Sequence, residues 1–308
     1  MKNPDLAHII TMIRRTHGRD LSGYDEAFLA KMLERRMTAS DSGSTATYLD
    51  RLADDPAEAE DFFQSLRIGY SEFFRNPLTF ALLEQLVLPG FVEAREKSGR
   101  AEIRIWSAGC AGGQEAWSVA ILLDELLAMR NRSLPFRIIA TDISEAELAA
   151  ARQGLYDAAA VRNIRTGHLR DYFSCKGESY VVAPRLQAHV DFSFYDLLDE
   201  QSSSPSAGVF GDFDLILCSN LLFYYRPGVQ QFILKKVRRG LSPHGYLCRG
   251  RSKRGQRRSK RGLAATASWP GGGRSVAEAD GGPTCGGGSA DRKGFRDCQS
   301  IDLVDWLD

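Results

Sequence analysis

Hydrophobic residues recur every three or four positions along the first part of the chain. Leu6, Ile9, Ile10 and Ile13 fall on one helical face, as do Phe28, Leu29, Met32 and Leu33, and then Tyr48, Leu49 and Leu52. The stretches GRDLSGY and ASDSGST interrupt this period with the Gly, Ser and Asp of turns and helix N-caps. Residues 1–88 are therefore expected to form an all-α domain. Beyond AREKSGRAE, helical runs alternate with short apolar ones. EIRIWSAG, FRIIATD, SYVVAP, HVDFSFYD and FDLILCSN read as strands, and GYLCRG as a last strand after an SPHG turn. QEAWSVAILLDELLAM, SEAELAAARQGL and PGVQQFILKKVRRGL read as helices. Ser144 with Glu147 three residues on is a capping-box pair, and Pro227 and Gly240 bracket the last helix. The alternation predicts an α/β domain over 89–250, with an open, doubly wound parallel sheet that takes its ligand at the carboxyl ends of the strands.

After Gly250 the periodicity stops. Residues 251–308 are rich in Gly, Arg, Ser and Ala, with an apolar pattern only in SIDLVDWL, and are expected to be disordered. A basic, glycine-rich segment cannot cover the edge of a last strand, so we read this tail as a reading-frame change in the gene or its record. Charge over all 308 residues nearly cancels, 40 Lys and Arg against 39 Asp and Glu, so no global field marks a nucleic-acid binder. The six cysteines, Cys110, Cys175, Cys218, Cys248, Cys285 and Cys298, contain no C-x-x-C pair, and neither a metal site nor a disulfide framework is expected. No apolar run approaches the roughly 20 residues that span a bilayer, and Met1–Asp20 lacks the features of a signal peptide. A cytoplasmic monomer without membrane insertion is the expectation.

The candidate chemistry starts at the glycine turn GCAGGQEAWS. Strand, glycine turn and helix form the general opening of a nucleotide site, but Gly109, Gly112 and Gly113 do not have the dinucleotide spacing G-x-G-x-x-G. Glu115 falls in the first helical turn, where its charge offsets the attraction of the helix end for a pyrophosphate. A ligand without phosphate fits better. S-adenosylmethionine is such a ligand, and Glu115 can accept from its ammonium. Asp142 closes IIATDIS, where an acid can accept from both ribose hydroxyls or simply cap the next helix. NAD sites place that acid about 20 residues past the glycines, and the separation here is longer. Asp196 and Leu197 end the third strand, where they can bracket an adenine. Asn220 ends FDLILCSN, and Leu221 and Leu222 follow it in place of the Pro-Pro-aromatic of enzymes that methylate base amines, which weighs against a nucleic-acid substrate. Lys31, Arg35 and Arg36 form a basic stripe at the end of the second helix. It is either a solvated face favoured by the helix dipole or a dock for an acidic partner.

The segments GRDLSGYDEAFLAKMLERRM, YSEFFRNP, RIWSAGCAGGQEAWSVA, ATDIS, ARQGLY, VDFSFYDLLD and CSNLLFYY with SPHGYL, taken in order, resemble the CheR-type chemotaxis receptor methyltransferases. These are S-adenosylmethionine-dependent protein-glutamate O-methyltransferases. The resemblance runs from about Gly18 to Gly250. It implies an N-terminal all-α domain joined to a Rossmann-like methyltransferase domain with a small inserted β-subdomain, here at about 173–189. It also implies S-adenosylmethionine as cofactor, S-adenosylhomocysteine as product, and methylation of glutamates on the cytoplasmic helices of chemoreceptors. Ser71 and Arg75 stand at cofactor contacts of the family, with Arg75 near the transferred methyl. Glu115, Asp142, Asp196 and Asn220 match further cofactor contacts, with Gly109, Leu197 and Leu221 beside them. Tyr224 matches a tyrosine near the reacting centre, so Arg75 and Tyr224 are the expected catalytic residues. Gly69 stands where the family often has an Asn that supplies one cofactor hydrogen bond. Lys31, Arg35 and Arg36 are expected to steer acidic receptor helices. Some members tether to a receptor's C-terminal peptide by strand addition, but the CKGESY turn is short and tethering is not expected. Two other readings remain: a non-catalytic signalling module of the same fold, and an RNA methyltransferase helped by the basic tail.

Overall fold

A computed structural model describes residues 3–249 apart from 68, 99–101, 203 and 206–211. The expectation of a disordered tail at 251–308, and its reading as a frame change, lie outside the described residues.

Four helices come first: α1 (Asn3–His17), α2 (Glu26–Ala39), α3 (Thr45–Asp54) and α4 (Pro56–Leu66). Each of the last three starts at a side-chain cap. Asp25 accepts from the amides of Ala27 and Phe28, Ser44 from Thr47, and Asp55 from Ala57 and Glu58 with Pro56 in the first turn. Their apolar stripes meet in one cluster around Ile9, Ile13, Leu29, Leu33, Tyr48 and Phe62. A carboxylate lies in this bundle: Glu58 is buried, and accepts from the Tyr48 hydroxyl at 2.9 Å and from Arg36 at 3.0 and 2.9 Å. Arg36 also reaches Asp61 at 2.9 Å. The Arg36 guanidinium thus neutralises a buried acid of α4, a structural role beside the docking expected of it, while Lys31 and Arg35 stay exposed on the stripe.

A continuous helical stretch follows: α5 (Pro77–Leu82), a π-helical turn (Leu83–Val87) and α6 (Leu88–Ser98). By length and composition Pro77–Lys97 is apolar enough to cross a membrane, contrary to the expectation that no run approaches that length. The stretch is apolar because it packs on the sheet, with Phe80, Leu83, Leu88, Phe91 and Val92 buried in the core and Arg95 paired with buried Asp214.

The remaining elements are β1 (Ile103–Ala108), α7 (Gln114–Met129), β2 (Phe136–Asp142), α8 (Glu145–Gln153), β3 (Leu155–Asp157), α9 (Thr166–Tyr172), β4 (Phe173–Lys176), β5 (Ser179–Val182), α10 (Pro184–Gln187), β6 (Val190–Phe194), β7 (Phe213–Cys218), a 3-10 turn (Leu222–Tyr224), α11 (Pro227–Arg239) and β8 (Leu241–Arg249). Five strands form a parallel sheet in the order β6-β2-β1-β7-β8. Alternate side chains enter the cores on its two faces. Ile105, Ile138 and Leu217 face one, while Trp106, Ile139 and Ile216 face the other. The last strand starts earlier than its sequence suggests. Leu241 already pairs with Phe213, and the SPHG segment is absorbed as an irregularity before Tyr246 pairs with Leu215.

A second, antiparallel sheet has the order β3-β5-β4. Its strand β3 precedes the 173–189 span. Gly154, in the left-handed conformation, caps α8 and turns the chain into this three-residue strand, too short for a visible alternation. The N-terminal bundle meets the sheet domain through a bridge between Tyr24 and Tyr225, whose rings stack at 5.2 Å. The Asp25 amide donates to Tyr224 O at 2.8 Å, and the Arg226 amide to Gly23 O at 2.9 Å.

Candidate cofactor and methyl-transfer site

The sheet order reverses at β1, whose neighbours β2 and β7 lead to opposite edges. A crevice forms at such a point outside the carboxyl ends of the strands, and the glycine turn lies there. The Gly109 and Cys110 amides donate to Thr141 O at 2.8 and 2.9 Å, which folds the turn back over β2. Gly109 and Gly113 have φ of 77° and 87°, a region that costs other residues. A β-carbon on Gly113 would lie 2.9 Å from Ala151 Cβ and 3.0 Å from the Phe192 ring, so the glycine permits α7 to sit close against α8 and β6.

Ten residues of the expected site line one of two cavities at this rim. Gly109, Asp142, Asp196, Leu197, Leu221 and Tyr224 line one of about 280 Å³. Ser71, Arg75, Glu115 and Asn220 line a smaller one of about 40 Å³. Asp142 is held by two backbone donors, Ala111 N to Oδ2 at 2.9 Å and Ser144 N to Oδ1 at 3.0 Å. Glu115 accepts from Ser107 Oγ at 2.8 Å, and burial raises its carboxyl above the ordinary value against the lowering effects of Ser107, Ser219 and the Arg75 charge. Burial likewise raises the Tyr224 phenol, again opposed by Arg75. One guanidinium therefore acts on both groups.

Arg75 owes its place to the two rings before it. Phe73 is fully buried edge-on to Tyr156 and Phe173. Phe74 adopts φ of 51°, donates its amide to Ser118 Oγ at 3.1 Å and stacks on His168. Arg75 then folds over the Tyr70 ring at 4.9 Å and donates to Tyr70 O at 3.0 Å. No acid lies within ion-pair distance of it among the described residues. Asn220 also takes a left-handed conformation, φ of 57°, which Asn tolerates better than most residues. Phe74, Ala111 and Asn220, three of the non-glycine residues with positive φ, thus sit on three of the loops around the site.

Several lining residues had no signal in the sequence. Tyr24, Gln64 and Arg67 reach the larger cavity from the N-terminal bundle, and Tyr195 and Tyr225 from the sheet. Tyr24 and Tyr225 are placed by their contact with each other, between residues some 200 apart, which no period or spacing records. Glu147 also lines this cavity, although its spacing from Ser144 pointed to a cap.

Two matches bear on identity. Residues 4–66 match the CheR methyltransferase all-alpha domain, and residues 70–265 match the CheR methyltransferase SAM binding domain. The chain belongs to the CheR methyltransferase family. It is 29% identical over 255 residues to "Chemotaxis protein methyltransferase 1" of Pseudomonas aeruginosa, covering 81% of this chain and 90% of that one. It is 30% identical over 250 residues to the chemotaxis protein methyltransferase of Salmonella typhimurium, covering 79% and 81%. A third relative, an uncharacterized 104.1 kDa protein of Rhodobacter capsulatus, is 28% identical over 248 residues, and the chain spans about a quarter of its length, 25%. This CheR chain is thus an S-adenosylmethionine-dependent methyltransferase of a chemotaxis family. The rim fits that cofactor: Asp142, Asp196 and Glu115 offer acceptors to a ligand bearing hydroxyls, an amine and an ammonium.

Proposed function

We propose that this CheR chain methylates glutamate side chains on the cytoplasmic helices of chemoreceptors, forming methyl esters in adaptation, with Arg75 and Tyr224 at the reacting centre. The observation that carries this reading is the construction of the cavity. Its floor is the carboxyl rim of the sheet and its wall is Tyr24, Gln64 and Arg67 of the helical domain, so a substrate enters between a cofactor site and a helical docking domain. Ser71, Arg75, Gly109, Glu115, Asp142, Asp196, Leu197, Asn220 and Leu221 hold the cofactor, Asp142 taking ribose and Glu115 the ammonium.

When bound, S-adenosylmethionine supplies a methyl on a sulfonium. A glutamate is already ionised at neutral pH, so its oxygen is the nucleophile and no general base is required. The chain's task is to position it. Raised by burial, the Tyr224 phenol stays protonated and can donate to the incoming carboxylate. Arg75 attracts that carboxylate but is pinned on Tyr70, which keeps it from forming a tight pair that would blunt the oxygen. Holding the reactants in line and away from water contributes up to roughly 7–11 kcal/mol in well-oriented cases. Lys31 and Arg35 steer the acidic receptor helix.

The test is transfer of labelled methyl from S-adenosylmethionine to receptor cytoplasmic fragments. The expected product is a base-labile ester, lost when the receptor glutamates are changed to alanine. Cofactor binding without any ester would refute the reading in favour of a non-catalytic module, and label in RNA would refute it in favour of a nucleic-acid enzyme.

A further inference from the structure

The capping box expected at the start of α8 is only half built. Ser144 Oγ accepts the Glu147 amide at 3.4 Å, as such a box requires. The reciprocal bond, from the Ser144 amide to the glutamate side chain, is absent because Asp142 Oδ1 takes that amide at 3.0 Å. Glu147 is thereby released from its local partner. Its carboxylate turns into a slot between two glycines. A β-carbon on Gly112 would lie 3.2 Å from Oε2, and one on Gly69 would overlap Oε1. Among the described residues neither carboxylate oxygen meets a hydrogen-bond donor, although the group is half-buried on the wall of the 280 Å³ cavity beside Asp142. Facing the cavity, both oxygens can accept from hydroxyl donors of a ligand.

We propose that Glu147 is a second ribose acceptor, its carboxylate sharing the hydroxyl pair of the bound cofactor with Asp142. This rests on the cofactor placement proposed above. Asp142 spends one acceptor site of each oxygen on a backbone amide, so it has limited capacity left for two hydroxyls. Glu147 adds two free oxygens from the helical turn that follows. The other donors of the cofactor have partners elsewhere: the ammonium at Glu115 in the smaller cavity, the adenine between Asp196 and Leu197. The two acids are close enough for the Asp142 charge to raise the Glu147 carboxyl, after the larger effect of burial, and hydroxyl donors relieve both. Gly69 makes the arrangement possible, since any side chain there would occupy the space of the carboxylate.

The experiment is calorimetric titration of the full chain with adenosylhomocysteine and with its 2′-deoxy and 3′-deoxy analogues, together with thermal denaturation of the free protein. Glu147→Gln should weaken adenosylhomocysteine about tenfold, the size of a charge-assisted bond replaced by a neutral one. The free variant should melt no lower than wild type. The affinity deficit should vanish for the analogue that lacks the hydroxyl held by Glu147. Gly69→Ala, which displaces the carboxylate, should reproduce the loss, and combining the two changes should add little. Unchanged affinity in Glu147→Gln, or an equal deficit for both deoxy analogues, overturns the proposal. A lower melting temperature with normal affinity assigns the residue to capping and also overturns it. A wild-type chain that does not bind adenosylhomocysteine sinks the cofactor placement, and this inference with it.

Discussion

Arg36 separates a docking role from a structural one, and the two give opposite results. Changing Arg36 to Ala removes both of its bonds to Glu58, at 3.0 and 2.9 Å, and leaves that carboxylate, 3% exposed, in the bundle core. Breaking a fully buried pair costs about 3–5 kcal/mol. Two features reduce this. The Arg36 side chain is 20% exposed, and Glu58 keeps the Tyr48 hydroxyl at 2.9 Å and Arg51 at 3.9 Å. A loss of about 2–3 kcal/mol remains, or a fall of about 4–12 °C in melting temperature for a cooperative unit of this size. Lys31→Ala and Arg35→Ala, at exposed positions, should each stay within about 0.5 kcal/mol of wild type. They should instead slow methyl transfer to receptor fragments at low salt, with a smaller deficit at high salt. The assays are thermal denaturation by circular dichroism and initial transfer rates across a salt series. If Arg36→Ala melts like wild type while transfer collapses, Arg36 is a docking residue and the structural account of it is wrong.

Three further outcomes follow from the site. Asp142→Asn turns one acceptor into a donor that faces a backbone amide, so the free protein should lose about 1–3 kcal/mol in chemical denaturation, and calorimetry should show adenosylhomocysteine binding weakened at least tenfold. Because burial holds the Glu115 carboxyl above its ordinary value of 4.5, the ligand-free residue keeps its proton to a higher pH than a surface glutamate. Affinity for an ammonium-bearing cofactor should therefore climb as pH rises through that range, and Glu115→Gln should flatten the climb; a wild-type slope retained in the variant would assign it to another group. Gly113→Ala combines a left-handed β-carbon, about 1–2 kcal/mol, with overpacking against Ala151 and Phe192, about 1–3 kcal/mol, so denaturation should show a loss of about 2–5 kcal/mol.

Much of this molecule is legible without coordinates because the signals are local. The three- and four-residue period over Ile9 to Leu52 marks helices, and the apolar runs around Ile105, Ile139 and Ile216 mark buried strands. The glycine turn with Glu115, and the acid at the end of the second strand, point to a cofactor rim. Where the chain reads differently from how it folds, a distant contact has overruled a local rule. The SPHG segment looks like a turn but pairs as part of β8, since Leu241 meets Phe213 in the sheet. The Pro77–Lys97 helix has the composition of a membrane span because it packs on a sheet instead.

The order of elements, the helical-then-alternating architecture and the glycine turn with its two nearby acids can be read along the chain, because periodicity, caps and glycine turns act over a few positions. Only the tertiary structure decided which charges are spent and which are free. Arg36 is taken by an acid 22 residues away, whereas Glu147 loses its capping partner to Asp142 and enters a cavity beside Gly69. Electrostatic partners are chosen by distance and burial in space, and neither quantity exists until the chain has packed.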